Sequence, residues 1–452
     1  MQGLFIMNIS ILQKIKKNIT IFLLFFQLFI ACGCGDFGNG NNSGSETVIP
    51  IERWEYEYPA YNKWKKEKIL EISGGGLLIP HLKAAYDIYN RLHITYFESS
   101  DQIYYKLKYK LIDMSSLLVL SQDQISDIIT IDNCNDLCFS LDSNANPIVT
   151  YQGGTIRECG DEKQSDVMIN ALENENWNEY TAAIGFVERN PVIKDGLAGH
   201  SFSMAIDSQD IIHISYQFFY EGCDSMNFQY PDLNYVAIEN KIDYDDSTVE
   251  KIEANNYDDG NIQNNVGYHN KILIDNNDNP YVFYYAVLEN NTRGLRFASK
   301  TTGNWELSWI ETGCEIGHID AAFCYKDNSI GVTYYVTNEL STNKTNFLKL
   351  AIWKNDSWDI IIIDDSSKCG NYSSINFDSN SNIWIAYYEQ KSHSGYDLNN
   401  LKIAIQESDS WNKYVISSGE IGMYNYLFFD NSLKPFICSY SEPEKTYYLL
   451  SQ

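Results

Sequence analysis

One short pattern recurs along this chain and limits what it can become. An aspartate is followed nine or ten residues later by a tyrosine: Asp87 and Tyr96, Asp142 and Tyr151, Asp207 and Tyr216, Asp275 and Tyr284, Asp378 and Tyr387, Asp430 and Tyr440. Tyr325 takes the aspartate's place before Tyr334. The fullest copy reads Ser374-Ile-Asn-Phe-Asp-Ser-Asn-Ser-Asn-Ile-Trp-Ile-Ala-Tyr-Tyr388. An apolar run, a turn of Ser and Asn, and a second run rich in β-branched and aromatic residues make a β-hairpin. The anchors lie 50 to 68 residues apart, so each copy has room for more than its hairpin.

Two further segments fill that room. A third apolar run follows at 233–238, 295–298, 347–352 and 401–405. A fourth opens with Trp177, Trp305, Trp358 or Trp411, and is present without the Trp near 117–120 and 249–252. A Gly then recurs eight residues before the anchor, at Gly199, Gly267, Gly317, Gly370 and Gly422. Four antiparallel strands per repeat define a propeller blade, and strands apolar on both sides suit blades packed between neighbours. A solenoid needs shorter repeats or helices, and no helical periodicity is sustained. The last repeat ends one strand short, while residues 64–72 read as a fourth strand ahead of the first anchor. The expected fold is therefore all-β: a seven-bladed β-propeller spanning 54–452, its last blade completed by an N-terminal strand, which removes exposed edges. Hydrophobic residues at 44% and aromatics at 14% supply the core this requires.

The N-terminus follows another logic. Lys14, Lys16 and Lys17 precede an apolar run at 19–31, too short to span a bilayer comfortably and laid out as an export signal. It ends Leu28-Phe-Ile-Ala-Cys32, which resembles the lipobox of bacterial lipoproteins, with Phe29 where that motif prefers Leu. The resemblance implies a signal peptide at 1–31, lipidation of Cys32 and a protein anchored in the cell envelope. An ordinary secretory signal or an uncleaved anchor is the alternative. Residues 32–53, rich in Gly, Ser and Asn, read as a flexible tether. A net charge of −27 repels phosphate and argues against nucleic acid as a partner.

The turns Asp142-Ser-Asn-Ala-Asn-Pro147 and Asp275-Asn-Asn-Asp-Asn-Pro280, each followed by a strand ending in Tyr, resemble a bacterial surface repeat. Over 65–452 the chain is similar to propellers of the sialidase-like (BNR-type) kind. That resemblance implies a fold and not an activity. The Ser-x-Asp-x-Gly-x-Thr-Trp box of sialidases is absent, and Arg53, Arg91, Arg157, Arg189, Arg293 and Arg296 share no register from which to clamp a carboxylate. No nucleophile elbow, phosphate loop or Cys-x-x-Cys pattern is present.

Candidate site residues follow from the repeat. His81 and His269 lie six residues before their anchors, and His200 and His318 seven, so all four should begin first strands at one mouth of the central channel. A metal or proton-transfer site could form there, with His200, His269 and His318 as weak catalytic candidates. Tyr372 and Tyr424 fill the same place, so histidine can equally be one filler of a packing position. His269 with Tyr268 and Arg293 or Arg296 would be the lyase-like arrangement. Alternating Asp142, Asn144 and Asn146, or Asp378, Asn380 and Asn382, suggest Ca²⁺ ligands, but these short loops lack the distal bidentate acid, and no cofactor is expected. The longest second-to-third-strand connections carry Arg157, Glu158, Asp161 and Glu162, then Phe219, Tyr220, Phe228 and Tyr230. Arg157, Tyr220, Phe228 and Tyr230 are ligand-binding candidates, because a scaffold does not need such insertions. Cys159 and Cys223, in these loops, form a candidate disulfide. Cys314 and Cys369 fall in connections between blades, and Cys324 and Cys438 read as buried strand thiols. The reading is a monomeric module binding a protein or glycan and touching membrane only through its lipid. The alternatives are a carbohydrate-active enzyme, lyase-like or hydrolase-like, with its site at the channel mouth, and a structural envelope component.

Overall fold

A computed structural model describes residues 64–71, 82–99, 104–129, 137–153, 166–184, 186–189, 192–220, 231–239, 249–254 and 265–452, apart from positions 343, 355, 367, 394–395, 408–409 and 420. The described elements are all strands. They form seven antiparallel sheets, six built from consecutive strands and one joining strands from both ends of the chain, and we letter the strands of each blade A to D. Strands A run Leu82–Tyr86, Leu137–Leu141, Val192–Ile206, Asn265–Ile274, Cys314–Phe323, Cys369–Phe377 and Ile421–Phe429 in blades 1 to 7. Each strand A packs beside the next and the seventh returns to the first, so they line a closed ring. Blade 7 ends at its strand C, Thr446–Ser451, and Lys65–Glu71 pairs with it antiparallel from Lys65 opposite Ser451 to Glu71 opposite Thr446. The ring closes as the two ends of the chain predicted. Blade 3 has a strand the repeat did not announce: Phe186–Arg189 pairs with the first residues of its long strand A.

Blades are held by their faces. Strand residues two apart point the same way, so Val282 and Tyr284 of blade 4 pack on Leu233 and Tyr235 of blade 3, while Phe283 turns toward blade 5. The closing interface is built likewise, with Phe436 and Cys438 of blade 7 against Leu92, Ile94 and Tyr96 of blade 1.

The anchor aspartates do what short Asx turns require. In six blades Oδ1 accepts the amide N–H groups two and four residues on, at 2.8–3.0 Å. The other oxygen takes a nearby side chain, such as Asn146 at 3.1 Å or Asn382 at 3.0 Å. These carboxylates are committed to their own turns, and among the described residues no group of three or more His, Cys, Asp or Glu is placed to hold a metal ion. The third residue after each anchor has positive φ: Asn90, Ala145, Asp210, Asp278, Ser381 and Leu433. Successive turns are also tied together. Ser143 donates its amide and hydroxyl to Asp210, and Ser208 does the same to Asp278, at 2.6–3.0 Å.

Two alignments change. In blade 5 the anchor slot belongs to Cys324 and not to Tyr325: its N–H bonds the Ser329 carbonyl at 2.8 Å, and the turn is one residue longer than its counterparts. Cys324 is buried, as expected, but in that turn rather than within a strand. In blade 7, Phe429 pairs with Pro435 as Ile274 pairs with Pro280. Ser439 therefore takes the place of Tyr284, and Tyr440 faces the other way, toward blade 1. Cys314 and Cys369 open their strands A as buried thiols, and burial pushes both up to about 12.

Candidate functional site at the channel mouth

Strand A does not run straight into the channel. In blades 4 and 6 it gains two residues relative to strand B, in two steps, and the kink sits at Gly267 to Asn270 and at Gly370 to Ser373. Gly267, Gly370 and Gly422 have φ of 89°, 111° and 125°, and the residues two further on, His269, Tyr372 and Tyr424, have φ near 50°. A Cβ at Gly370 would lie 2.7 Å from Leu348 Cβ and 2.9 Å from its Cα, so the recurring glycine answers both conformation and space. The bulge is then locked. The Asn425 side-chain amide donates to the Gly422 carbonyl at 2.7 Å and to the Tyr372 carbonyl of the preceding blade at 3.0 Å. Asn270 repeats this with Gly267 and Ser201.

These bulges present aromatic rings. Tyr372 and Tyr424 stand 4.5 Å apart between centroids, His318 lies 6.3 Å from Tyr372, and Tyr388 and Tyr440 back them edge-on. The arc runs across blades 5, 6 and 7 and is half-buried; His269 in blade 4 is exposed. Blade 5 lacks the second of these residues: His318 pairs with Tyr335 as Tyr268 pairs with Tyr285, and no further shift follows. His269 and His318 thus sit five residues into their strands, in different phases, rather than at the strand starts.

Inside the ring, Lys271 Nζ meets Asp320 Oδ1 at 3.0 Å, and Asp320 Oδ2 accepts the Ile375 N–H at 3.1 Å. Burial opposes both charges, yet the pair prevails: Lys271 is raised and Asp320 lowered from their ordinary values. Lys83 is exposed and has no ion-pair partner among the described residues. Burial holds His318 below its usual value against the pull of Asp320 and the Ser373 carbonyl, and Lys83 and Lys271 add to the depression. His318 is therefore neutral near pH 7. Its Nε2 lies 3.0 Å from the Ser373 carbonyl, which assigns the proton to Nε2 and leaves Nδ1 as the acceptor. This arrangement can stack a ring, attract an anion and offer one neutral imidazole.

His81, Arg157, Phe228, Tyr230, Cys32, Cys159 and Cys223 lie outside the described residues, as do the signal peptide and tether. His200 and Tyr220 are placed as backbone positions, opposite Gln217 and Gly196 in blade 3. Ser201, not His200, holds the bulge position of that blade.

Two sets of residues escaped the sequence reading. His93 bridges Asp87 Oδ2 at 3.0 Å and the Tyr109 hydroxyl at 2.8 Å, and Tyr109 meets Trp177 of the next blade edge-on. Asp207, His213, Tyr235 and Trp305 repeat the chain. Burial lowers both imidazoles, so these are neutral packing histidines. The signal was a His six residues after the anchor. The second set joins blades: Tyr284 with Glu253 and Arg296, Tyr334 with Glu311 and Lys349, Tyr387 with Asp364 and Lys402. In each, the cation lies directly opposite the tyrosine on strand C.

No family model matches the sequence, and no curated protein matches it either. Solved structures do resemble the fold. The polysaccharide lyase Uly1 superposes with a TM-score of 0.50 at 9% identity, over 84% of this chain and 91% of the lyase. A PL25 ulvan lyase bound to -[GlcA(1-4)Rha3S]- gives 0.50 at 8%, over 81% and 90%. The Trypanosoma rangeli sialidase gives 0.42 at 8%, and the match spans 75% of this chain but only 55% of the sialidase. At such identities the likeness to the two lyases is one of fold alone, a β-propeller.

Proposed function

We propose that this chain is an exported, lipid-anchored propeller that binds an acidic glycan at the channel mouth. The observation that carries the reading is the half-exposed arc of His318, Tyr372 and Tyr424 above Lys83 and Lys271, in a chain whose net charge is −27. Sugar C–H faces stack on aromatic rings, and a carboxylate or sulfate gains most where cations stand in an otherwise repelling field. Strands B of blades 2 and 3, which end at Gly153 and Tyr220, finish on the same side as the bulges. The PL25 lyase, whose fold is similar, is described with a uronate- and sulfate-bearing sugar. The test is a binding titration of the full-length protein with the -[GlcA(1-4)Rha3S]- polymer, alginate and a neutral glucan. Binding to an acidic polymer that weakens with salt is expected. Lys83→Gln should reduce it about threefold to tenfold without changing thermal stability, and Tyr372→Ala by about tenfold or more. Acidic polymers that fail to bind, or bind equally well to both variants, would defeat the reading.

A catalytic reading draws on the free Nδ1 of His318 beside the Tyr372 ring, since a lyase needs a neutral base. Cleavage of the polymer, lost in His318→Ala with binding retained, would establish it. Anchoring is tested separately, through Leu28 to Cys32. Cys32→Ser is expected to abolish fatty-acid labelling and release the protein from membranes. Absence of labelling in the parent would retire the anchor while leaving the channel mouth untouched.

A further inference from the structure

We propose a second carbohydrate site, for neutral glycans, on the opposite face of the propeller, in the cleft between the turns of blades 4 and 5. The cleft has a volume of ≈ 360 Å³, within the range of roughly 300–1,000 Å³ typical of small-ligand sites. Its walls come from the A–B turns of both blades and the C–D turn of blade 5. Tyr281, Phe323 and Trp353 line it with aromatic surface, and Tyr325, 70% exposed, stands edge-on to Phe323 at 5.0 Å. Polar groups complete the lining: Asp275, Asn277, Asp327, Lys354 and Asp356.

The polar groups divide by what they already hold. Asp275 is saturated by its own turn and the Tyr281 hydroxyl, and Asp327 by Ser329 and Lys354. The Asp356 carboxylate, the Asn277 side-chain amide and the Trp353 indole N–H have no partner among the described residues. Free acceptors and donors beside half-buried aromatic rings suit a sugar, because each hydroxyl both gives and takes a hydrogen bond while a C–H edge can rest on a ring. Charge selects among sugars. Three carboxylates against one ammonium repel uronates, sulfates and sialates, so the occupant is neutral. This is the reverse of the channel mouth. Tyr325, in the longer turn of blade 5, bears on the cleft only through its edge-on contact with Phe323.

The experiment titrates the full-length protein with cello-, manno-, xylo- and galacto-oligosaccharides and with chitotetraose, read by tryptophan fluorescence and saturation-transfer NMR. At least one is expected to saturate with a Kd of about 1 mM or tighter. Asp356→Ala and Asn277→Ala, both at exposed turn positions, should each weaken it about threefold to tenfold. Trp353→Phe keeps an aromatic ring, though a smaller one, but removes the indole N–H, and should weaken it with a loss of the fluorescence change. Lys83→Gln, which bears only on the channel mouth, should leave this titration as it is, so failure of one site is distinguishable from failure of the other. The proposal is overturned if no neutral oligosaccharide saturates below on the order of 10 mM. It is equally overturned if the one that binds is indifferent to Asp356→Ala and Trp353→Phe, or if an acidic sugar binds in a manner sensitive to Asp356.

Discussion

Removing residues 64–71 is expected to abolish cooperative unfolding and drive the chain into aggregates. The deleted strand is the outer partner of Thr446–Ser451, and without it blade 7 presents an unpaired edge. Side-chain contacts go with it. Leu70 is 7% exposed and packs in the blade 7–blade 1 core, Trp64 packs on the blade 6–blade 7 core, and Lys66 stands 3.8 Å from the Tyr448 ring centroid. The strand also ties blade 7 to blade 1 through Lys110, whose ammonium donates to the Ile69 carbonyl at 3.3 Å. A gentler version isolates packing from pairing: Leu70→Ala should cost about 2–5 kcal/mol, by analogy with other buried leucines. Urea unfolding and size-exclusion chromatography of the three proteins decide the matter. A deletion variant that stays soluble and unfolds in one transition at the parent midpoint would show that something else closes the ring.

Lys402→Met is expected to cost about 3–5 kcal/mol, the usual penalty for breaking a buried ion pair from one side. The Lys402 ammonium lies 2.6 Å from Asp364 and 3.1 Å from Glu389, and both carboxylates are 1% exposed. Tyr387 and Asn400 donate to the same pair of acids at 2.6 and 2.8 Å and the part-exposed Lys413 reaches Asp364 at 3.7 Å, but none of these replaces an ammonium shared by both buried carboxylates. Lys344→Met serves as the contrast. Its ion pair with Asp365 is about half exposed on both sides, and its loss should stay within about 1 kcal/mol. Acid gives a second readout. Burial pushes Asp364 up, but the bonds from Lys402, Tyr387 and Ser366 outweigh it and hold the carboxyl well below its ordinary 3.8. A depressed carboxylate stabilises the fold above its unfolded value, and that contribution is lost as pH falls through the folded value. In Lys402→Met the depression shrinks, so acid unfolding should begin at higher pH than in the parent. Asp364→Asn added to Lys402→Met should recover part of the loss in a double-mutant cycle. The idea fails if Lys402→Met costs no more than Lys344→Met.

Features legible in the amino-acid sequence and features set by the assembled ring separate along sequence distance. Hairpins, turn aspartates, recurring glycines and the orphan strand at 64–72 are local or strictly periodic, and together they specify an all-β ring of seven blades closed by its own N-terminal strand. The glycines even marked the bulges, because only a residue without a side chain fits against Leu348 at Gly370. Counting residues failed where two local changes cancelled. Blade 5 drops a bulge residue and lengthens its turn by one, so the spacing to Tyr334 looked ordinary while the anchor moved to Cys324 and His318 changed phase. In blade 7 one residue more before Tyr440 put that ring on the other face, a difference that a period of two makes decisive. The site itself belonged to the tertiary structure. Lys402 meets Asp364 across 38 residues, and His318 reaches the Ser373 carbonyl across 55. Such pairs depend on how one blade is rotated against the next. No local propensity encodes that rotation; it is set when all the blade faces pack and the ring closes.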